Sequence, residues 1–264
     1  MEAKTIFWQA LTPVHPGTGQ DSSSVIDLPV AREAATGFPA IPASSLKGVL
    51  RDGRNDEQSN RLFGSLENAA ELTLTDARLL FLPVRSYAGA FALLTCPLVL
   101  ERFKRDQRVL GFPELKIPIV NPGQTEALLP KNTHIVHNGQ VILEDIDLKA
   151  INGAADALAQ ELGEMVFGAE AGYFLERFAL VSNDVFAYFC EMGMEIIARV
   201  RLDASSKTVV QGGLWYEEAI PAEAVFSCFA IGTEGFDELN RPYIQIGGQA
   251  SVGRGLLRRL GGGV

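Results

Sequence analysis

The sequence predicts an α+β fold, a sheet with helices packed against one face. Three observations carry this. Apolar runs of strand length, rich in β-branched and aromatic residues, recur at 5–12, 72–83, 92–100, 195–202, 209–216 and 224–231. Two other segments, 46–63 and 152–166, have helical periodicity instead. No linker and no internal repeat of fixed period divides the 264 residues, which suffice for one large domain or two small ones.

The first strand, Thr5 to Thr12, stops at Pro13-Val14-His15-Pro16-Gly17-Thr18-Gly19, and loop character continues through Ser22-Ser23-Ser24. Val25-Ile26-Asp27-Leu28-Pro29 is too short, and too close to Pro29, for a central strand. Ser44 or Ser45 is placed to cap a helix starting at Leu46. Leu46, Val49 and Leu50 then share one face, and Lys47 and Arg51, four apart, share another. That helix runs towards Phe63 and is weakened at Gly53 and Asn55.

Leu72 to Pro83 and Ala92 to Leu100 read as strands. Arg102, Lys104, Arg105 and Arg108 then form the densest basic segment of the chain. Gly111 to Leu143, broken by proline and glycine, reads as an insertion of loops and short strands. Asn152 is placed to cap a helix through Ala155, Leu158, Leu162, Met165 and Val166. Glu195–Leu202 and Val209–Tyr216 pair as a hairpin across Asp203–Lys207, and Ala224–Ile231 is a further strand. Pro242–Ile246 leads into a glycine-rich end, Gly247 to Gly255.

Hydrophobic residues make up 47% and charged residues 21%, ordinary globular usage. No run approaches the roughly 18 apolar residues of a membrane span. The N-terminus does not read as a signal peptide, so the expectation is a cytoplasmic protein without a membrane partner. Three widely spaced cysteines without a CxxC pair fit core packing rather than disulfides or zinc. A net charge of -9 argues against a free-standing basic nucleic-acid binder, although a local basic face is enough for phosphate contacts.

Several residues have a chemical reading beside a plainer one. Gly247, Gly248, Gly253 and Gly255 let backbone approach a ligand and offer amides to phosphate, with Arg254 as a cation; a tight turn explains them equally well. Ser44, Ser45 and Lys47 suit phosphate binding at a helix start, or an ordinary capped helix. Asp27 can act as a base or metal ligand, but most loop aspartates only bond their own turn. His15 can transfer protons, or brace its proline-flanked loop. His134 and His137 lack an evident third metal ligand. Trp215-Tyr216-Glu217-Glu218 is either a stacking platform or a strand end.

Leu11-Thr12-Pro13, His15 to Gly19, Asp27-Leu28-Pro29-Val30, Arg32-Glu33, Thr36-Gly37-Phe38-Pro39, Ile41-Pro42 and Ser44-Ser45-Leu46-Lys47-Gly48 together resemble the N-terminal block of the RAMP superfamily. Asp76 to Leu80, Pro83 to Ser86, Thr95-Cys96-Pro97, Leu214 to Glu218 and the glycine-rich end continue the likeness. Within the superfamily, the chain is similar to the nuclease backbone subunits of type III-B CRISPR (Cmr) complexes.

The resemblance implies a single domain over 1–264 with a ferredoxin-like, RRM-type core. It also implies a long insertion at about 85–150 that forms a thumb hairpin and accessory segments. It implies several copies stacked along a guide RNA, with other subunits of the complex as partners. A complementary single-stranded target RNA would be cut at regular intervals with a divalent metal, Mg²⁺ or Mn²⁺. Asp27 matches the catalytic position, with His15 second. Ser44, Ser45, Lys47, Arg51, Gly247, Gly248 and Arg254 match guide-RNA contacts.

Overall fold

In the computed structural model, the described residues are all except 18, 20–24, 52, 55, 66 and 262–264. The loop expected at Ser22-Ser23-Ser24 therefore lies outside them. The chain runs through β1 (Glu2–Ala10), β2 (Ala40–Ile41), α1 (Ala43–Arg51), α2 (Glu57–Phe63), β3 (Leu72–Leu74), β4 (Ala77–Arg85), β5 (Phe91–Thr95) and α3 (Pro97–Val109). It continues through β6 (Glu126–Leu129), β7 (Gln140–Leu143), β8 (Ile146–Asn152), α4 (Asp156–Phe167), α5 (Ala171–Leu175), β9 (Phe178–Leu180) and α6 (Asn183–Met192). It ends with β10 (Glu195–Leu202), β11 (Val209–Ala219), β12 (Val225–Gly232), β13 (Tyr243–Gln245) and β14 (Leu256–Arg259). The expected α+β class is the class observed.

Among the described residues, twelve strands form one sheet, in the order β13-β14-β1-β12-β4-β5-β9-β6-β8-β7, with β2 on β4 and β3 on β12. β1 lies antiparallel between β12 and β14, so the first and last strands sit side by side near the β13 edge of the sheet. Phe81, Phe167, Phe174 and Phe178 interlock beneath it, with Phe174 centred 4.8 Å from Phe81 and 5.2 Å from Phe178. Burying each such ring contributes on the order of 1.5–3 kcal/mol. The cysteines are free and buried; burial pushes the Cys96 thiol up to about 11 and the Cys228 thiol up to about 12. Among the described residues, no helix is long and apolar enough to cross a membrane.

Four sequence expectations are corrected. The strand expected over Ala92–Leu100 ends at Thr95, because Pro97 opens α3, where its missing N–H costs nothing. The first helix starts at Ala43 rather than Leu46, and its first amide is capped from across the fold by Asp76 Oδ1, which accepts from Ala43 N at 2.8 Å. Asn152 closes β8 instead of capping a helix; the chain then turns at Gly153 (φ 79°) into α4. The segment at 85–150, expected to carry a free thumb hairpin, contributes β5 to β8 to the main sheet.

The hairpin that stands outside that sheet, among the described residues, is β10–β11, the pair expected from sequence at Glu195–Leu202 and Val209–Tyr216. The break expected near Gly53 is also present. α1 ends at Arg51, and α2 restarts behind Asp56, whose side chain accepts from Ser59 N at 2.8 Å.

Candidate functional site

The root of β11 organises the site. Three successive residues there each fasten a different segment. Tyr216 N donates to Asp27 Oδ2 at 2.8 Å. Glu217, 1% exposed, accepts from Arg199 Nε of β10 at 3.1 Å, from Trp215 Nε1 at 2.8 Å and from Gln249 Nε2 of the glycine-rich end at 3.1 Å. Glu218, 3% exposed, accepts from Val30 N at 2.9 Å and pairs with the Arg32 guanidinium. Two adjacent buried carboxylates survive because each has charged and neutral donors around it.

Asp27 is held by this frame. Leu28 bridges Glu217 in parallel, with Leu28 N on Tyr216 O at 3.1 Å and Glu218 N on Leu28 O at 2.9 Å. One carboxylate oxygen of Asp27 is thus anchored to backbone, while Oδ1 has no hydrogen-bond partner among the described residues. A half-buried carboxylate fixed through one oxygen can present the other to a bound group.

His15 is a brace. It is 8% exposed, and its Nδ1 lies 2.6 Å from the Glu218 carbonyl, so Nδ1 carries the proton. A Cβ on Gly17 would come within 2.8 Å of its Nε2. The glycine-rich end closes over the same loop: Gly248 N donates to His15 O at 3.1 Å and Gly255 N to Pro13 O at 2.9 Å. A Cβ on Gly247 (φ 81°) would sit 2.3 Å from His15 O, so only glycine allows this approach. The Gly248 and Gly255 amides are therefore used within the protein. Arg254 keeps one buried guanidinium nitrogen, Nη1, without a partner among the described residues. Burial raises the Glu195 carboxyl at the hairpin root, and the Arg254 charge partly offsets that rise.

The structure therefore brings Asp27, His15, Gly247 and Gly248 together around β11. Ser44, Ser45 and Lys47 form a second group on α1, with no hydrogen bond or ion pair to the first among the described residues. Lys47 is half-buried without a carboxylate partner among the described residues, and desolvation lowers its pKa. Arg51 braces α1 on α2, reaching Arg54 O at 2.9 Å, Gly64 O at 3.1 Å and the Asn60 side chain. The basic segment of α3 is occupied by ion pairs as well: Arg102 with Glu33, Arg105 with Asp106 and Arg108 with Glu114.

Sequence reasoning missed Arg32, Arg199, Gln249, and the burial of Glu217 and Glu218. The one available signal was the pair of adjacent acids in a strand, since alternation must turn one of them inward. Tyr87 and His137 pair edge to face at 4.8 Å, while His134 lies 3.5 Å from Glu176. Among the described residues, no three His, Cys, Asp or Glu side chains are placed to hold a metal ion.

Comparison with known proteins agrees with this architecture. The model of the RAMP superfamily matches residues 9–258. A Pyrococcus furiosus protein named CRISPR system Cmr endoribonuclease Cmr4 is 36% identical, over 98% of this chain and 95% of its own length. The Saccharolobus solfataricus CRISPR system CMR subunit Cmr4 is 26% identical, over 96% and 94%. The crystal structure of oligomeric Cmr4 from Pyrococcus furiosus superposes with a TM-score of 0.78 at 31% identity, over 98% of both chains. A chain of the type III-B Cmr-beta complex bound to cognate target RNA gives a TM-score of 0.78 at 20% identity, a likeness of fold. Matched over nearly its whole length, in sequence and in strand arrangement, the chain belongs to the RAMP superfamily.

Proposed function

We propose that this protein is a repeated backbone subunit of a type III-B CRISPR effector complex, that it binds guide RNA, and that it cuts the paired target RNA in the cytoplasm. The observation that carries the reading is the Asp27 carboxylate, anchored at the root of the free β10–β11 hairpin, in a chain 36% identical to a named Cmr endoribonuclease. Single-stranded target RNA, the guide, other complex subunits and further copies of this chain are the partners. In this reading, β10–β11 is the thumb of a ferredoxin-like unit spanning 1–264, and the segment at about 85–150 supplies accessory structure.

RNA brings its own nucleophile, the 2′-hydroxyl beside the scissile phosphate. The protein's task is then mainly geometric. A hairpin that displaces one nucleotide breaks the stack and allows the 2′-oxygen to line up with the leaving 5′-oxygen. Positioning of this kind lowers a barrier by up to about 7–11 kcal/mol. Asp27 Oδ1 would accept the 2′-hydroxyl proton, a contribution of roughly 10²–10⁴-fold, as the 2′-oxygen bonds to phosphorus and the bond to the 5′-oxygen breaks; a 2′,3′-cyclic phosphate is left, and the 5′-oxygen takes a proton from water. His15, buried behind the loop, would support Asp27 through the Glu218 carbonyl, so His15→Ala should lose only part of the rate.

The expected Mg²⁺ or Mn²⁺ does not find a set of three His, Cys, Asp or Glu ligands among the described residues. The steps above are therefore assigned to the protein's own groups.

The test is cutting of a labelled complementary RNA by guide-loaded complex, parent against Asp27→Ala, with and without Mg²⁺ or Mn²⁺. Regularly spaced products that vanish in the variant, with guide still bound, support the reading. Unchanged cutting moves the site elsewhere, and an assembled parent that never cuts is a guide-binding scaffold.

A further inference from the structure

The glycine-rich end is a ring tied across itself. Gln245 Nε2 donates to Ala250 O and to Arg254 O, each at 2.9 Å, and Ile246 N donates to Gly255 O at 2.9 Å. Val252 N and Arg254 N both donate to Gln249 O, at 3.1 and 3.3 Å. Such cross-ties make the segment one stiff unit. Gln249 stands in it at φ 65°, a left-handed conformation that glycine adopts without strain and that a residue with a Cβ rarely takes. Gly247 and Gly248 precede it, so a third glycine would serve the turn better. A strained position that keeps a side chain points to a use for that side chain.

The use is visible in its partner. Gln249 Nε2 donates to Glu217 Oε1 at 3.1 Å, the oxygen that also accepts from Trp215 Nε1 at 2.8 Å. Arg199 Nε holds the other oxygen, Oε2, at 3.1 Å. Arg199 and Trp215 belong to the hairpin itself, so the Glu217 charge is compensated without Gln249. What Gln249 adds is a connection. Among the described residues, its side chain makes the one hydrogen bond between the glycine-rich end and β10–β11. The neighbour of Glu217, Tyr216, then holds Asp27 Oδ2 through its N–H.

We propose that Gln249 is a positioning residue for target cutting, acting through Glu217 to set the place of Asp27 when guide RNA occupies the glycine-rich end. The proposal rests on the guide-binding and cutting reading above. Guide backbone seated on the stiff ring holds it in one place, and Gln249 passes that restraint to the root of β11. Gln249 itself touches no reacting atom.

Gln249→Met removes the donor and keeps the length, whereas Gln249→Lys keeps a donor within reach of Glu217. Neither is branched at Cβ, so neither adds strain at φ 65°. Guide-loaded complex carrying Gln249→Met should hold guide and target as tightly as the parent. It should cut saturating target roughly 10- to 100-fold more slowly in a single turnover, as for a misplacement of up to about 1 Å. Gln249→Lys should recover most of the rate. A parental rate in Gln249→Met, or a loss accounted for by weaker guide or target binding, overturns the proposal.

Tryptophan emission gives a readout that needs no cutting. The chain has two tryptophans, and Trp8 is 1% exposed in the core, so a guide-dependent change reports on Trp215. Guide titrated into the purified chain should shift the emission of the parent and of Gln249→Lys. Gln249→Met should bind the guide without that shift. No shift in the parent, or the same shift in all three, also overturns the proposal. A parent that shows the shift and never cuts sinks the nuclease reading and leaves the link standing; a parent that cuts beside an unaffected Gln249→Met does the reverse.

Discussion

Tyr216 N and Asp27 Oδ2 meet at 2.8 Å across 189 positions of sequence. The bond makes the hairpin strand and the loop carboxylate one mechanical unit. Asp27→Glu adds a single methylene, so the carboxylate cannot keep the Tyr216 bond and still present its other oxygen at the same place. A misplacement of about 1 Å costs on the order of 10²-fold in rate. Single-turnover cutting by guide-loaded Asp27→Glu should fall at least that far while guide affinity holds. A rate close to the parent's would remove Asp27 from the chemistry.

Glu217 joins β10, β11 and the glycine-rich end through one buried carboxylate. Glu217→Ala leaves the donors of Arg199, Trp215 and Gln249 without their acceptor. Arg199 reaches solvent with 28% of its side chain, which limits the loss. A destabilisation of about 1.5–3 kcal/mol is expected, the range for hydrogen bonds to a charged group. Denaturant unfolding of the purified chain measures it. Glu217→Gln, which keeps an acceptor, should recover part of the loss, and equal stability of Glu217→Ala and the parent would refute the hub.

The local signals in the sequence were legible, and the distant ones were not. The broken first helix follows from Gly53, and the β10–β11 hairpin from two apolar runs around a polar turn. Ala92–Leu100 hides a boundary, because a buried β5 and the first turn of α3 are both apolar and only Pro97 separates them. α6 was missed although it carried a readable start, since the Ser182 side chain accepts from Val185 N at 3.3 Å ahead of buried Val185, Phe186, Phe189 and Cys190. No local pattern exposes the site frame, where Glu218 meets Arg32 across 186 residues and Glu217 meets Gln249 across 32. A carboxylate's burial depends on donors that the fold delivers, and strand alternation alone predicts only one of two adjacent acids inside.

Gly247 and Gly253 share φ 81°, but they differ in surroundings. A Cβ at Gly253 meets nothing within 4 Å, whereas at Gly247 it would sit 2.3 Å from His15 O. Gly253→Ala therefore bears only the left-handed backbone cost, about 1–2 kcal/mol. Gly247→Ala adds a collision that must push the glycine-rich end off the His15 loop. Thermal unfolding should rank Gly247→Ala clearly below Gly253→Ala, with guide affinity falling in the same order. Equal midpoints would mean that the close approach at His15 contributes nothing.

Lys47 is the cation on α1 whose charge is not consumed by an ion pair among the described residues, while Arg51 is committed to Gly64 and Asn60. Desolvation lowers the Lys47 pKa, as for any ammonium partly withdrawn from water. If a guide phosphate is that anion, Lys47→Ala removes one released counterion. The slope of log affinity against log salt for single-stranded guide should then become shallower by about 0.7. The loss should be the same for guides of unrelated sequence, since a phosphate contact reads no base. Arg51→Ala should instead lower the unfolding midpoint by loosening α1 from α2. A salt slope identical to the parent's in Lys47→Ala would assign Lys47 to solvent and leave the guide contacts to the glycine-rich end.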